Sequence, residues 1–133
     1  MKLFLGEYDH ALDDRSRLML PRKIRQEILG TEIVIARGYE GCIFGFDKES
    51  WEVEAAKHFD TPVTDEQGRK IRRYLFSSAE KVEIDKLGRI LLPAQLKEYA
   101  SISREVIVIG AGDHFEMWNK TQWQEYSARL GES

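Results

Sequence analysis

Apolar residues lead into a proline at two places in the chain. Leu18 and Leu20 precede one proline, and Ile90 and Leu92 precede the other. A proline fits the first turn of a helix, because the N–H that it lacks has no partner there. The pattern therefore predicts two short helices, near Arg22–Ile28 and Ala94–Ala100.

A β-hairpin is predicted after each short helix. In both halves a run of β-branched residues is followed by a polar or glycine-containing turn and then by a second apolar run. These segments are Ile33–Ile35, Tyr39–Gly41 and Cys42–Phe46 in the first half, and Val106–Ile109, Gly112–His114 and Phe115–Trp118 in the second.

Each half then ends in a predicted helix that contains a tryptophan. Asp47 precedes the segment with Trp51, and Asn119 precedes the segment with Trp123. The side-chain oxygen of either residue can cap the exposed N–H groups at a helix start.

A third helix is predicted between the halves. Pro62 ends the first tryptophan-containing helix, because proline disfavours helical backbone at the residue before it. The spacing from Thr64 to Gln67 fits a capping box and predicts a helix that reaches about Phe76. The connector is therefore expected to be helical.

The two halves repeat one sequence. Leu12–Pro21 corresponds to Ile84–Pro93 at a constant offset of 72 residues. An internal repeat usually marks a unit that buries its apolar face against its copy. We therefore expect a β-rich α+β fold in which two halves share one core. The segments are a first half at 7–50, a helical connector at 51–78, a second half at 79–122, and a C-terminal helix and tail at 123–133.

Composition limits the possible classes of protein. The 133 residues, 42% of them hydrophobic, suffice for one compact domain or two closely joined halves. The single cysteine, Cys42, suits a reducing compartment, and the sequence shows no signal peptide or long apolar run, so a cytoplasmic protein without membrane contact is expected. A net charge of −3 means that any binding of nucleic acid must depend on a local basic surface.

The pattern Asp-x-x-x-Arg occurs at equivalent places in the halves, from Asp13 to Arg17 and from Asp85 to Arg89. It predicts a tight turn in which the aspartate accepts backbone N–H groups and Gly88 takes a positive φ. Ser16 replaces this glycine in the first half, so that turn is expected to be more strained or of a different shape. The arginine either pairs with the aspartate or projects outward, and the spacing favours neither alternative.

Local charge favours an anion-binding function for these turns. Residues 13–25 carry five basic and two acidic side chains, and residues 85–97 carry three basic and one acidic. Arginine presents a planar fork to phosphate or guanine, and lysine acts more as a point charge. We expect groove contacts from Arg15 and Lys86 at the tips. The predicted DNA-binding residues are Arg15, Arg17, Arg22, Lys23, Lys86 and Arg89, and the predicted turn-structuring residues are Asp13, Asp85 and Gly88.

Other clusters have simpler interpretations. The basic residues within 69–73 are typical of a solvated helix face, and phosphate binding is the less favoured alternative. Cys42 and most aromatic residues are expected in the core or in a subunit interface. The three histidines are dispersed, and no Cys/His spacing is typical of a metal site, so neither a metal nor a cofactor is expected.

Together, these duplicated motifs resemble the MraZ family over nearly the whole chain. The resemblance rests on the segments Gly6–Asp13, Arg17–Pro21, Glu83–Pro93 and Phe115–Trp118. It implies a tandem SpoVT-AbrB-type fold, in which swapped hairpins form an intertwined, pseudo-twofold β-barrel with short helices. It also implies a homo-oligomeric ring of eight or twelve chains.

The same resemblance implies a function. It indicates a repressor that binds double-stranded DNA at short G-rich direct repeats upstream of the division and cell-wall gene cluster containing its own gene, and hence a nucleoid-associated protein. The family's Asp-x-x-x-Arg motif falls on Asp13/Arg17 and Asp85/Arg89, and Ser16 departs from its usual glycine.

Two other functions stay open at this stage. The repeat could form an oligomeric protein-interaction scaffold without direct DNA binding, and salt-sensitive retention of DNA distinguishes the two functions. An enzyme is less favoured, because the sequence offers no convergent catalytic set and no small-molecule substrate is expected.

Overall fold

The computed structural model describes residues 1–131, which form eight strands and five helices. The strands are β1 (Glu7–Ala11), β2 (Arg17–Met19), β3 (Glu32–Arg37), β4 (Ile43–Asp47), β5 (Glu80–Glu83), β6 (Arg89–Leu91), β7 (Glu105–Gly110) and β8 (Phe115–Asn119). The helices are α1 (Arg22–Arg25), α2 (Lys48–Phe59), α3 (Glu66–Ser78), α4 (Ala94–Tyr99) and α5 (Lys120–Arg129). The last two residues of the predicted segment 123–133 lie outside the described residues.

Most strands belong to one antiparallel sheet. Its order is β1-β7-β8-β4-β3-β5, and β2 pairs with β6 in a separate two-stranded ribbon. The expected α+β class with a mainly antiparallel β-structure is confirmed. Within residues 1–131, no helix is long and apolar enough to cross a membrane.

A pseudo-twofold axis relates the two halves. Phe44 in β4 lies opposite Glu116 in β8, and Leu18 in β2 lies opposite Ile90 in β6. Both pairs are separated by the repeat offset of 72 residues. The axis therefore passes through both the sheet and the ribbon.

Each half contributes its first strand to the sheet of the other half. β1 pairs with β7 of the second half, and β5 pairs with β3 of the first half. Since β3 and β7 are equivalent strands, the same exchange occurs on both sides of the axis. Neither half completes its own sheet.

The main core contains residues of both halves, as the repeat predicts. Leu18, Ile35, Ile90 and Val108 belong to one buried cluster. Successive strand residues face opposite sides of a sheet, so Ile107 belongs to a second cluster, which includes Cys42, Trp118 and Trp123. Burial of each such side chain stabilises the fold by about 1.5–3 kcal/mol, and the expected burial of Cys42 is confirmed.

Capping residues begin the three longer helices. Asp47 accepts the Ser50 N–H at 2.9 Å and Asn119 accepts the Gln122 N–H at 3.0 Å, which confirms both predicted caps.

The capping box predicted from Thr64 to Gln67 is wrong. The Asp65 N–H donates to Pro62 O at 2.9 Å, and this turn makes Asp65 the last residue before α3. Its carboxylate caps the helix by accepting the Gly68 N–H at 2.7 Å. The predicted helix Arg22–Ile28 is also too long, because α1 ends at Arg25.

Candidate nucleic-acid interface

Two turns with the same hydrogen bonds connect β1 to β2 and β5 to β6. In the first turn Asp13 Oδ1 accepts the N–H groups of Arg15 and Arg17, both at 2.9 Å. In the second turn Asp85 Oδ1 accepts the N–H groups at the equivalent positions 87 and 89, both at 2.9 Å. Each aspartate therefore binds the tip of its own turn and the first residue of the strand that follows, through one carboxylate oxygen.

Ser16 and Gly88 adopt the same backbone conformation. Their φ angles are 60° and 86°, so both lie in the left-handed region. The first turn therefore does not differ in shape from the second, although this was one expected consequence of Ser16. A side chain in this region costs about 1–2 kcal/mol relative to glycine, so the strain expected at Ser16 is present.

The arginines of the motif pair with its aspartates. Arg17 Nε donates to Asp13 Oδ2 at 2.8 Å, and Arg89 Nε donates to Asp85 Oδ2 at 2.9 Å. The pKa values of both carboxyls are lowered, mainly by hydrogen bonds from the arginine backbone N–H groups. Of the two alternatives for these arginines, the structure shows pairing within the turn.

The β2–β6 ribbon lies between the two turns. Leu18 and Ile90 face the core, so the alternate residues Met19 and Leu91 face outward and are 36% and 57% exposed. Because the ribbon is antiparallel, the turn before β2 and the turn before β6 lie at its opposite ends. The turns therefore flank one outward-facing surface.

The tips of the turns carry different side chains. Arg15 in the first turn is at the position of Leu87 in the second, and Lys86 is at the position of Asp14. All four residues are exposed. The two basic tips are thus not equivalent, and the repeat offset of the sequence already contained that information.

The predicted basic residues outside the turns differ in their surroundings. Arg22 and Lys23 are exposed on α1, next to the ribbon in the sequence.

On α3 the basic side chains are engaged by nearby groups. Arg69 donates to Val63 O at 2.8 Å, Lys70 lies 3.5 Å from Glu66, and the Arg72 guanidinium lies 5.5 Å from the centre of the Phe59 ring. These contacts agree with a solvated helix face.

Sequence reasoning assigned no role to Arg25 or Lys97, yet both side chains contact a turn of the opposite half. Lys97 Nζ donates to Ser16 Oγ at 2.6 Å, and the Arg25 guanidinium lies against Gly88. The repeat offset relates Arg25 to Lys97 and Ser16 to Gly88, so it marks the two contacts as equivalent, but it does not show that they form. Within residues 1–131 no group of three or more His, Cys, Asp or Glu side chains is placed to bind a metal ion.

Comparison with known proteins gives a consistent result. The family described as "MraZ protein, putative antitoxin-like" matches residues 3–74 and again residues 75–133. A protein of Lactiplantibacillus plantarum named transcriptional regulator MraZ is 41% identical over 93% of this chain and 87% of its own length. A protein of the same name from Heliobacterium modesticaldum is 40% identical over 98% of this chain and 91% of its own.

Proposed function

Because the chain belongs to the MraZ family, we propose that it is a sequence-specific DNA-binding transcriptional regulator. It acts as a repressor in the cytoplasm, at the nucleoid. Its target is a set of short G-rich direct repeats in double-stranded DNA, upstream of the division and cell-wall gene cluster that includes its own gene.

One observation carries the proposal: the fold joins the two basic segments of an otherwise acidic chain. Residues 13–25 have a net charge of +3 and residues 85–97 a net charge of +2, whereas the whole chain has −3. The contact of Lys97 with Ser16 and that of Arg25 with Gly88 bring the segments together around the ribbon. A local basic surface of this kind binds phosphates in spite of the average charge.

The two-stranded form of the ribbon suits a DNA groove. Its ends are closed by the hydrogen bonds that Leu92 and Leu20 donate to the carbonyl groups of Ser16 and Gly88. The major groove is about 12 Å wide and admits a two-stranded ribbon. We assign groove contacts to Arg15 and Lys86 at the tips of the turns, and phosphate contacts to Arg22 and Lys23.

Arg17 and Arg89 act mainly through their turns in this proposal. Their Nε atoms are bound to Asp13 and Asp85, and their side chains are 30% and 25% exposed. They organise the tips and can also reach phosphate, while Asp13, Asp85 and Gly88 shape the turns.

Assembly supplies the affinity that a single chain with this charge lacks. We propose that the exchanged strands complete an AbrB-like barrel and that eight or twelve chains form a ring. Several weak sites on one ring gain about 10²–10⁴ in avidity when the DNA carries matching repeats.

The direct test is fluorescence anisotropy with a labelled duplex taken from upstream of the protein's own gene, across a salt series. The affinity of the parent protein is expected to fall steeply with salt, because phosphate contacts release counterions. Arg15→Ala is expected to lower the affinity about tenfold or more. Arg73→Ala, which removes an exposed arginine from α3, is the matched control and is expected to bind like the parent.

Two results would contradict the proposal. If Arg15→Ala and Arg17→Ala both bind as tightly as the parent, the turns do not contact DNA. If the parent protein retains no DNA at any salt concentration, a protein-interaction scaffold explains the repeat better. Circular dichroism of each variant verifies that folding is unchanged.

A further inference from the structure

A basic side chain of each half reaches the turn of the other half. Lys97 lies in α4, and the ammonium group of Lys97 donates to Ser16 Oγ at 2.6 Å. At the equivalent place on the other side of the axis, Arg25 lies over Gly88, where an added Cβ would stand 2.7 Å from Arg25 Cζ.

Backbone hydrogen bonds reinforce the same exchange. The Leu92 N–H donates to Ser16 O at 2.9 Å, and the Leu20 N–H donates to Gly88 O at 3.0 Å. Arg25 Nε also donates to Leu20 O at 3.1 Å. Each turn therefore touches the strand end and the short helix of the opposite copy.

We infer that Arg25 and Lys97 are positioning residues, each of which sets the conformation of the DNA-binding turn in the opposite half. This inference rests on the proposed function of the turns. Arg25 acts on the turn that carries Lys86, and Lys97 acts on the turn that carries Arg15.

The residue pairs are chemically matched. A planar guanidinium lies close against Gly88 because that residue has no side chain. Ser16 has a side chain, and the slimmer ammonium of Lys97 donates to its hydroxyl instead. Arginine is therefore paired with glycine in one turn, and lysine with serine in the other. Replacing one member of a pair creates a mismatch, and replacing both members removes it.

The test transfers the pair of one turn to the other. Gly88→Ser is expected to displace Arg25 and to lower the affinity for the labelled upstream duplex about tenfold, because it adds a side chain at a left-handed position under the guanidinium. Arg25→Lys in the same protein recreates the lysine–serine pair and is expected to restore the affinity to within about threefold of the parent. The reciprocal test uses two variants of the other turn. Lys97→Arg alone creates the mismatch, and Lys97→Arg combined with Ser16→Gly recreates the arginine–glycine pair.

A second readout needs no DNA and separates this inference from the proposed function. Hydrogen exchange of the Leu20 amide is expected to accelerate in Gly88→Ser and to recover in the double variant. For the other turn, hydrogen exchange of the Leu92 amide is expected to accelerate in Lys97→Arg and to recover when Ser16→Gly is added. These measurements decide the positioning role even if the parent protein does not bind the duplex.

The inference is overturned if the effects of the two substitutions simply add. A direct phosphate contact by Arg25 predicts that Arg25→Lys weakens binding equally with Gly88 or Ser at position 88. It also predicts that Arg25→Lys leaves the hydrogen exchange of the Leu20 amide unchanged, whichever residue occupies position 88. Rescue in only the affinity measurement, without recovery of the amide, would likewise contradict a positioning role.

Discussion

The carboxylate of Asp13 lies 3.9 Å from the guanidinium of Arg89, which belongs to the turn of the opposite copy. The same oxygen accepts the Arg17 Nε–H at 2.8 Å. Asp13 therefore lies between the motif arginines of both halves. Through a hydrogen bond to Arg17 and a longer ion pair with Arg89, this carboxylate contacts two turns that are far apart in sequence.

Acid is expected to loosen both turns. The folded pKa values of Asp13 and Asp85 lie below the ordinary value of 3.8, mainly because the Arg17 and Arg89 backbone N–H groups bind the ionised forms. The resulting stabilisation is complete above about pH 4 and is lost as the pH falls through the lowered folded values. Amide chemical shifts of Arg15 and Leu87, followed by NMR from neutral pH into this range, measure the change.

Asp13→Asn and Asp85→Asn are the matched controls, because neither replaced side chain titrates. Each variant is expected to lose the acid response of its own turn. Asp13→Asn is also expected to shift the Arg89 amide, since Asp13 contacts that guanidinium. Turn resonances that move identically in the parent and in both variants would show that the carboxylates do not control the turns.

The ribbon offers a sharp test of the shared core. Leu18 is fully buried on the pseudo-twofold axis, whereas Leu91, on the paired strand, is 57% exposed. Leu18→Ala is expected to lower the free energy of unfolding by about 2–5 kcal/mol, and Leu91→Ala to change it by at most about 0.5 kcal/mol. Urea unfolding followed by tryptophan fluorescence measures both.

The number of transitions in the same experiment tests the exchanged strands. Because each half completes the sheet of the other, one transition is expected in the parent and in Leu18→Ala. Two separate transitions, or equal losses in the two variants, would contradict a core that belongs to both halves.

Local features were predictable from the sequence. The turn that begins at Asp13, the caps Asp47 and Asn119, and the hairpins depend on residues a few positions apart, so their spacing is visible in the chain. The cap of α3 was misplaced by one residue, because Thr64 and Asp65 are both suitable capping residues. The turn formed with Pro62 decides between them.

Contacts between the halves could not be obtained in this way. Lys97 and Ser16 are 81 residues apart, and no local pattern indicates that their side chains meet. The pairing of β1 with β7 is a similar case, because apolar strands have many compatible partners. The repeat offset showed which residues are equivalent, but equivalence does not specify which of them are in contact.

Cys42 is expected to be unreactive in the folded protein. It is 1% exposed, and burial raises the pKa of its thiol, with the Glu116 carboxylate adding to the effect. The thiolate is the reactive form, so iodoacetamide at pH 8 is expected to leave the native protein unmodified and to alkylate it in urea. Mass spectrometry measures the modification, with Thr121→Cys as an exposed positive control.

Comparable alkylation rates in buffer and in urea would contradict the buried position of this thiol. The Thr121→Cys protein must gain one modification in buffer for the comparison to be valid. Labelling of Cys42 in native protein would show that the second core cluster opens readily.

His114 forms a partly buried ionic cluster that the sequence interpretation missed when it treated the histidines as dispersed. Its Nδ1 lies 2.8 Å from Asp113 Oδ1, and its Nε2 lies 2.8 Å from Glu116 Oε2. The ring is 4.6 Å from that of Phe44, measured between centroids. Asp113 precedes His114 directly and Glu116 follows it by two positions, so the sequence contained the signal.

Rising pH is expected to weaken this cluster. Burial alone lowers the pKa of His114, but the carboxylates of Glu116 and Asp113 outweigh it and raise the pKa above its ordinary value of 6.5. The stabilisation is complete below pH 6.5 and is lost as the pH rises through the raised folded value. Urea unfolding of the parent and of His114→Gln across this range measures the loss, which is expected only in the parent.

Glu116→Gln is the matched control, because it removes one of the two carboxylates that contact the ring and keeps the size of the side chain. The pKa of His114, measured by NMR of its ring protons, is expected to be lower in this variant than in the parent. If the pKa of His114 in the parent is 6.5 or less, or if His114→Gln loses stability with pH as the parent does, the carboxylates do not bind a charged imidazole. The loss of stability at high pH would then arise from other groups.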